Sequence, residues 1–328
     1  MTPALTMADT STIPTHLLNK PLDNSLNNSL NRAVQLMPAI SLEELNTLAA
    51  LQTRSDRKYV LPLAMASELV AWLASADSFE EARVLDINGN RSSLYDSVYL
   101  DTPDLTCYRM AVQKNRRRFK VRRRTYMDSG QSFLEVKTKS ASTQTVKNRI
   151  EWDALLVGEE ACASTRDTPD STWDTLGIGL LAGSLSASEF IAECLAPRVD
   201  ARSLHLEPVL CTRYRRTTIH LAASNMRLTI DQDLTWIAAD SPGTGHNTTG
   251  NPATGGIATG PATAHSDAVI VETKSPGHAS NADRYLWAAG YRPLPSSKYA
   301  AGIALFHPEL PRERWTRTID RYLKAVVD

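Results

Sequence analysis

The feature of this sequence that most constrains its fold is a set of short runs with charged residues at every second position. In the run FLEVKTK, Glu135, Lys137 and Lys139 alternate with Leu134, Val136 and Thr138. This alternation is typical of a β-strand that has one apolar and one polar face. The same pattern recurs in KVRRRTY, VKNRIEW, YRRTTIHL, MRLTIDQDL and IVETK.

A solvated sheet face explains any one of these strands, but six charged faces together favour a closed arrangement. If the sheet curls into a barrel, the charged faces converge on one water-filled bore and the apolar faces pack against helices. Cations outnumber acids on these faces, so a polyanion is needed to neutralise them, and the acids suit a hard divalent cation. The charged or polar positions on the five further strands are Lys120, Arg122, Arg124, Lys147, Arg149, Glu151, Tyr214, Arg216, Arg227, Asp231, Asp233, Glu272 and Lys274.

Helix signals flank the strand-like runs. Ser41 and Glu44 form an S-x-x-E capping box, and Pro62 suits the first position of a helix that extends to about Ala76. Further helices are predicted over residues 187–195, 281–289, 298–306 and 312–327. We therefore expect an α+β fold, an antiparallel β-barrel with flanking helices.

The chain is expected to contain one ordered domain. Residues 1–38 are rich in Asn, Ser, Thr, Pro and Leu without a clear period, which is typical of a disordered tail. Residues 39–328 would then form the barrel domain. Within them, the low-complexity stretch SPGTGHNTTGNPATGGIATGPATAHS predicts a disordered hairpin loop at about residues 240–266.

Composition excludes several classes of protein. Lys+Arg and Asp+Glu both number 36, which excludes a uniformly basic nucleic-acid binder. The sequence has no apolar run of about 18 residues that would span a membrane, no secretory signal, no Walker A loop and no G-x-G-x-x-G. The four cysteines are widely spaced, as expected of reduced thiols, so we expect a cytoplasmic protein.

Positive charge is nevertheless concentrated between Lys114 and Arg124, where eight of eleven residues are basic. Such a run alone is compatible with RNA, DNA or a membrane surface. Aromatic residues make up only 6% of the chain and no RNP-type motif is present, so nucleic acid is not the expected partner. Arg116 to Arg118 fit a solvated turn.

The motifs, taken in order, resemble those of the VTC domain. They are RKYVLP, SLYDSVYLDTPDLTCY, KVRRRTY, FLEVKTK, VKNRIEW, RYRRTTI, RLTIDQDL, VIVETKSP and GYRPLPSSKYAAG, and the resemblance spans about residues 54–310. The VTC domain is the catalytic module of the vacuolar transporter chaperone polyphosphate polymerase, in the CYTH or triphosphate tunnel metalloenzyme superfamily. No SPX-like region precedes the match and no transmembrane segment follows it, so the resemblance does not extend to vacuolar translocation.

The resemblance implies a site inside a triphosphate tunnel. Its catalytic cations would be Arg122, Arg124, Lys137, Arg216 and Lys298. The wider phosphate-binding set adds Lys58, Lys147 and Arg149. Glu272 matches the family's metal-binding glutamate; Glu135 and Asp231 are expected as further metal ligands, and Asp233 is an additional candidate.

The implied activity is a metal-dependent polyphosphate polymerase that transfers the terminal phosphoryl group of ATP to a polyphosphate chain and releases ADP. Mn²⁺ or Mg²⁺ would be the cofactor, and ATP and polyphosphate the binding partners. Two alternatives stay open. On the same fold, water in place of the acceptor would give a triphosphate or tripolyphosphate hydrolase. A non-catalytic polyphosphate or nucleic-acid binding module would keep the cations without the metal.

Overall fold

A mainly antiparallel sheet flanked by helices forms the framework of the computed structural model, which describes residues 24–49, 55–139, 145–152, 185–196, 199, 204–239, 262–275, 277–323 and 326–327. The helices are α1 (Asn24–Leu36), α2 (Leu42–Ala49), α3 (Leu63–Ala74), α4 (Thr106–Val112), α5 (Leu185–Leu195), α6 (Asn281–Ala288), α7 (Lys298–Phe306) and α8 (Glu313–Arg317). The strands are β1 (Ala39–Ile40), β2 (Ser55–Leu61), β3 (Ala82–Leu85), β4 (Ser93–Asp101), β5 (Lys120–Tyr126), β6 (Ser132–Lys139), β7 (Thr145–Glu151), β8 (Glu207–Leu221), β9 (Met226–Ala238), β10 (Thr263–Ser266), β11 (Val269–Ser275) and β12 (Val326–Val327).

The main strands follow the order β2-β11-β9-β8-β4-β5-β6-β7, and every neighbouring pair in this path is antiparallel. The predicted α+β antiparallel architecture is therefore confirmed. Within the described residues no ladder joins β2 to β7, so the sheet is a curled half-barrel with an open seam. Its curvature brings β2 close to β5 and β6. The charge of Lys58 on β2 therefore acts on Lys120 of β5 and on Lys139 of β6.

Two apolar cores stabilise the curled sheet. Successive residues of β2 belong to different cores, because side chains alternate between the two faces of a strand. Val60 belongs to the core that α4, α5, α7 and α8 share with the strands. Its neighbours Tyr59 and Leu61 belong to the other core, which α1, α3 and α6 cover. On β2, Lys58 lies on the same face as Val60. On β5 and β6 the first core instead takes residues that alternate with the charged ones, such as Val136, and these lie on the opposite face. The first core therefore packs on the concave face near β2 and on the outer face of β5 and β6.

A β-bulge changes which side chains of β9 line the bore. The register between β8 and β9 shifts between Arg213 and Arg215, and Asp233 has a positive φ of 53°. Its side chain is 41% exposed and lies 3.9 Å from Arg215 on the outside of the sheet. Asp233 was expected on the same face as Asp231, and this expectation was wrong because the bulge interrupts the alternation of side chains.

Helix α7 packs against β8 and β9 and makes an unusually close contact with the sheet. Ser297 caps the helix by accepting a hydrogen bond from Ala300 N at 3.2 Å. Trp236 Nε1 donates to Lys298 O at 2.8 Å, which fixes the start of the helix against β9. A Cβ atom at Gly302 would lie 2.5 Å from Trp236 Cδ1 and 2.6 Å from Leu210 Cδ2, so glycine is needed there for close approach.

Most of the predicted helices agree with the structure, including the cap in which Glu44 N donates to Ser41 Oγ at 3.1 Å. The expected disordered tail differs from the structure at residues 24–38. There α1 buries Leu30 and Val34 against the outer core, so an amphipathic helix was overlooked among polar residues. Residues 1–23 lie outside the described residues.

The C-terminal segment and the expected loop also differ in extent. The helix predicted over residues 312–327 is broken into α8 and a π-helical turn at Thr318–Leu323, and Val326–Val327 pairs with β10 as a strand. Of the expected loop, Thr263–Ser266 forms β10, whereas residues 240–261 lie outside the described residues. Among the described helices, none combines the length and apolar character needed to cross a membrane.

Replacing Gly302 with alanine is expected to destabilise the protein. Overpacking costs about 1–3 kcal/mol, which exceeds the gain of about 1 kcal/mol that alanine has over glycine within a helix. Thermal unfolding should show a lower Tm for Gly302→Ala. In a double-mutant cycle, Leu210→Ala should remove part of that loss because it vacates the space that the new methyl group needs. Strictly additive effects would contradict the close contact.

Candidate active site

The clearest feature of the charged face is a row of three lysines across neighbouring strands. Lys120 on β5 is the register partner of Lys137 on β6, and Lys137 is the partner of Lys147 on β7. Like charges directly opposite one another destabilise a sheet. Side chains of a β-strand alternate between its two faces, and each of the three lysines occupies a charged position of this alternation. The three lysines therefore lie on the same face of the sheet.

The next row along the same three strands balances its charge. Arg122 is opposite Glu135, which in turn is opposite Arg149. Arg122 Nε donates to Glu135 Oε2 at 2.7 Å and its Nη1 donates to Tyr99 Oη at 3.2 Å. Lys147 forms an ion pair with the other oxygen of Glu135. Glu135 thus orients one cation from each flanking strand.

A third group of cations lies where β5, β8 and β9 meet the start of α7. Arg216 donates from Nε and Nη2 to the two oxygens of Asp231 at 2.6 and 2.7 Å, a bidentate pair. Lys298 also forms an ion pair with Asp231. Arg124 Nη2 donates to Tyr214 Oη at 2.8 Å, and within the described residues no carboxylate lies within ion-pair distance of Arg124.

The fourth group is formed by β2 and β11. Lys58 is the register partner of Glu272 and donates from Nζ to its Oε1 at 2.7 Å. Lys274 lies farther from the same carboxylate, with its Nζ 4.0 Å from Oε2. Glu272 is therefore flanked by two lysines, of which only Lys58 makes a hydrogen bond with it.

The carboxylates of the bore are held in their charged form. Burial raises the pKa of the Asp231 carboxyl, but the charges of Arg216 and Lys298 outweigh it and hold this pKa at about 2. Burial likewise opposes ionisation of Glu135 and Glu272. The charges of Arg122 and Arg124, and of Lys274 and Lys58, respectively, lower the pKa of these two groups below the usual range.

The lysine row shows the opposite effect. The charge of Arg122, followed by burial, lowers the pKa of Lys137 well below its usual value. Burial, followed by the charges of Arg122 and Lys58, lowers the pKa of Lys120 to about 7. Lys120 Nζ donates to Ser297 Oγ at 2.6 Å, so this lysine also contacts the cap of α7. Positive charge in this part of the bore exceeds what the carboxylates neutralise.

The structure tests whether the three expected metal ligands form one site. Glu135, Asp231 and Glu272 lie on β6, β9 and β11, and within the described part of the chain no group of three acidic, His or Cys side chains is arranged for a metal ion. Glu135 and Asp231 each accept from two cations. Among the residues that the structure describes, Glu272 Oε2 has only the distant Lys274 near it, so Glu272 fits as a single carboxylate ligand to a hard cation whose other ligands would be phosphate oxygens.

All eight expected phosphate-binding cations lie on the concave face or on helix α7, namely Lys58, Arg122, Arg124, Lys137, Lys147, Arg149, Arg216 and Lys298. Their roles stay predictions. The motifs do not single out Lys120 and Lys274 for phosphate, although the period of two places both on charged faces. Tyr214, also placed on a charged face by this period, has its ring against Arg216 and Lys298, and its hydroxyl accepts a hydrogen bond from Arg124.

The sequence and the fold are similar to those of known proteins. Residues 53–307 match the family model of the VTC domain. No curated protein matches the chain. Among solved structures, the chain is similar to a protein from Hippeastrum described as a candidate adenylyl cyclase with a dominant triphosphatase activity (14% identity, 76% of this chain and 95% of that chain, TM-score 0.38).

A candidate adenylate cyclase from Vibrio parahaemolyticus is also similar (11% identity, 76% of this chain and 97% of that chain, TM-score 0.36). A conserved hypothetical protein from Pyrococcus furiosus is similar as well (9% identity, 73% of this chain and 88% of that chain, TM-score 0.31). These likenesses are distant. The family model, in contrast, spans most of the sequence and includes every strand of the bore wall, and it confirms the resemblance drawn from the motifs. The chain belongs to the VTC domain family.

Proposed function

We propose that this protein is a polyphosphate polymerase that transfers the terminal phosphoryl group of ATP to the end of a polyphosphate chain and releases ADP. The observation that carries the proposal is the row of Lys120, Lys137 and Lys147, whose mutual repulsion a bound polyanion would relieve. A linear phosphate chain supplies negative charge at regular intervals along such a wall. Membership of the VTC domain family supports the same chemistry.

The transfer step needs positioning and charge stabilisation more than covalent chemistry by the protein. A terminal oxygen of the acceptor chain forms a bond to the γ-phosphorus, and the bond from that phosphorus to the β–γ bridging oxygen breaks. ADP leaves with the electron pair. Since the acceptor is already an anion, no general base is required. Arg122, Arg124, Lys137, Arg216 and Lys298 would stabilise the charge on the transferred group.

The carboxylates have two distinct roles in this proposal. Glu135 and Asp231 hold Arg122 and Arg216 in fixed orientations, so these donors need no reorganisation when charge develops. Glu272, with one oxygen not hydrogen-bonded to a described residue, would hold Mn²⁺ or Mg²⁺ together with the phosphates. When bound, such a cation acts as a Lewis acid on phosphoryl oxygens.

The proposed activity is tested by incubating the purified protein with ATP and Mn²⁺ and measuring both products. We expect ADP and polyphosphate to form together. Orthophosphate without polymer would instead assign the protein as a triphosphate hydrolase. Binding of polyphosphate or RNA without turnover, unaffected by removal of the metal, would assign it as a non-catalytic binding module.

Two neighbouring arginines provide a matched test of the catalytic face. Arg124 faces the bore, whereas Arg123 lies on the outer face of β5, over the ring of Trp152. Arg124→Gln should lower kcat/KM by about 30- to 1000-fold, equivalent to about 2–4 kcal/mol of lost transition-state stabilisation. Arg123→Gln should change it by less than about threefold, because Arg123 lies on the face of β5 that points away from the bore. Equal effects of the two changes would refute the assignment of faces.

The lysine row makes a prediction about stability as well as binding. Lys137→Met should weaken tripolyphosphate binding measured by titration calorimetry. It should also stabilise the ligand-free protein by about 0.5–2 kcal/mol, because it removes a buried charge that is repelled by its neighbours. Lys114→Met, at an exposed turn, should change neither quantity. A Lys137→Met variant that is less stable than the parent would show that this lysine supports the fold.

The lowered pKa of Lys120 predicts a pH-dependent affinity. The free protein loses the Lys120 proton near pH 7, whereas a bound polyanion favours the charged form and raises the pKa. Affinity should therefore be fully present below pH 7 and fall by up to about tenfold per pH unit above it, with proton uptake on binding at pH 8. Lys120→Met should remove this part of the pH dependence. Identical pH profiles for the parent and the variant would exclude Lys120 as its source.

A further inference from the structure

A second group of cations lies outside the bore, at the end where β5 begins and β6 ends. We propose that Arg118, Lys139 and Arg314, here called the mouth cluster, bind the part of a polyphosphate chain that extends beyond the bore. The inference rests on the proposed function and narrows its ligand to a chain longer than a triphosphate. Lys58 and Lys120 connect the mouth cluster to the bore.

The three residues come from separate parts of the fold. Arg118 precedes β5 and donates from Nη1 to Asn115 O at 2.7 Å. Lys139 is the last residue of β6 and donates from Nζ to Thr145 Oγ1 at 2.9 Å. Arg314 lies on α8 and donates from Nη1 to Ala111 O at 2.9 Å, which places it beside the end of α4. All three are held by uncharged acceptors, so none of these contacts neutralises a charge.

The mouth cluster lies close enough to the edge of the bore for the charge of Arg314 to act on Lys120. Partial burial and the charges of Arg118, Lys58 and Arg314 lower the pKa of Lys139. Among the groups that act most strongly on this lysine, Asp56 is the one acid, and it acts in the opposite direction. The charge of Arg118 likewise lowers the pKa of Arg314. The charges of Lys58 and Arg314 both lower the pKa of Lys120, the first residue of β5. These cations therefore form one chain of mutual repulsion that leads from the lysine row outward.

One hydrogen-bond donor in the mouth cluster lacks an acceptor in the part of the chain that the structure describes. Arg314 Nε is buried, and no atom of these residues accepts a hydrogen bond from it. Leaving a donor of a charged group unsatisfied is costly, so its retention is consistent with a ligand that supplies an acceptor. Arg314 also lies beyond residues 53–307, the part that matches the family model, so this side of the mouth is a feature of the chain's own C-terminal segment.

An extended phosphate chain suits this arrangement better than a small nucleotide. A triphosphate has only three phosphate units to share between the cations of the bore and those of the mouth cluster. A longer chain presents a charged oxygen at each unit and satisfies both groups together, as two linked sites satisfy a bivalent ligand. The mouth cluster should therefore discriminate between ligands by length and leave the chemistry in the bore unchanged.

The test compares binding of tripolyphosphate with binding of long-chain polyphosphate to the full chain, by titration calorimetry at several salt concentrations. Arg118→Gln/Arg314→Gln should bind tripolyphosphate like the parent. It should lose about tenfold or more in affinity for the long chain, with a smaller salt dependence. Arg116→Gln and Arg317→Gln, at exposed positions of the same turn and helix, serve as matched controls and should leave both affinities unchanged.

Arg314→Lys separates a role in binding from a role in the fold, because it keeps the charge and should preserve most of the preference for long chains. Equal loss for both ligands, or for neither, would overturn the proposal, and so would tighter binding of single-stranded RNA at the mouth cluster. If the parent protein binds the long chain but not tripolyphosphate, the proposed function of the bore fails while the mouth cluster stands. If it binds neither, both fail.

Discussion

Repulsion among cations on the concave face of a curled sheet is the constraint on which the rest of the structure depends. The sheet holds Lys120, Lys137 and Lys147 at adjacent register positions, and burial strengthens their mutual effect by reducing solvent screening. Such an arrangement persists only if the surrounding scaffold is stable enough to offset it. The two apolar cores supply this stability, because each packs helices against the sheet. The site is therefore strained electrostatically rather than in its backbone.

The two walls of the bore treat charge differently. On the β8, β9 and β11 side, Asp231 and Glu272 pair with the cations next to them, so those cations have fixed positions before any ligand arrives. On the β5 to β7 side, Glu135 is the buried acid for a larger number of cations, and Lys137 is left with like charges on both flanks. If the bore acts as proposed, a polyanion would gain most from the second wall, whereas the first wall would orient groups that act at one defined point.

Much of this arrangement follows from the period of two, since a residue's place in the alternation decides whether it faces the bore. The same rule failed for Asp233, because a bulge is a pairing property of two strands and leaves no mark in the alternation of one strand. Helix α1 was overlooked because its buried side, which includes Leu30 and Val34, is sparse among polar residues. The partners of the three carboxylates depend on register between distant strands, so the sequence placed Glu135 and Asp231 with a metal, whereas the structure pairs both with cations.

The carboxylate pairs also bear on why the site uses acids at all. If Asp231 were replaced by an apolar residue, Arg216 and Lys298 would face each other without a counter-charge, and their repulsion would favour a movement of α7 away from β8 and β9. The acid therefore holds Lys298 in an ion pair and fixes the geometry of Arg216. If the bore binds phosphate as proposed, such an acid does not simply weaken the attraction for the ligand. It fixes the positions of the nearest cations, and the excess charge on the lysines would provide the attraction.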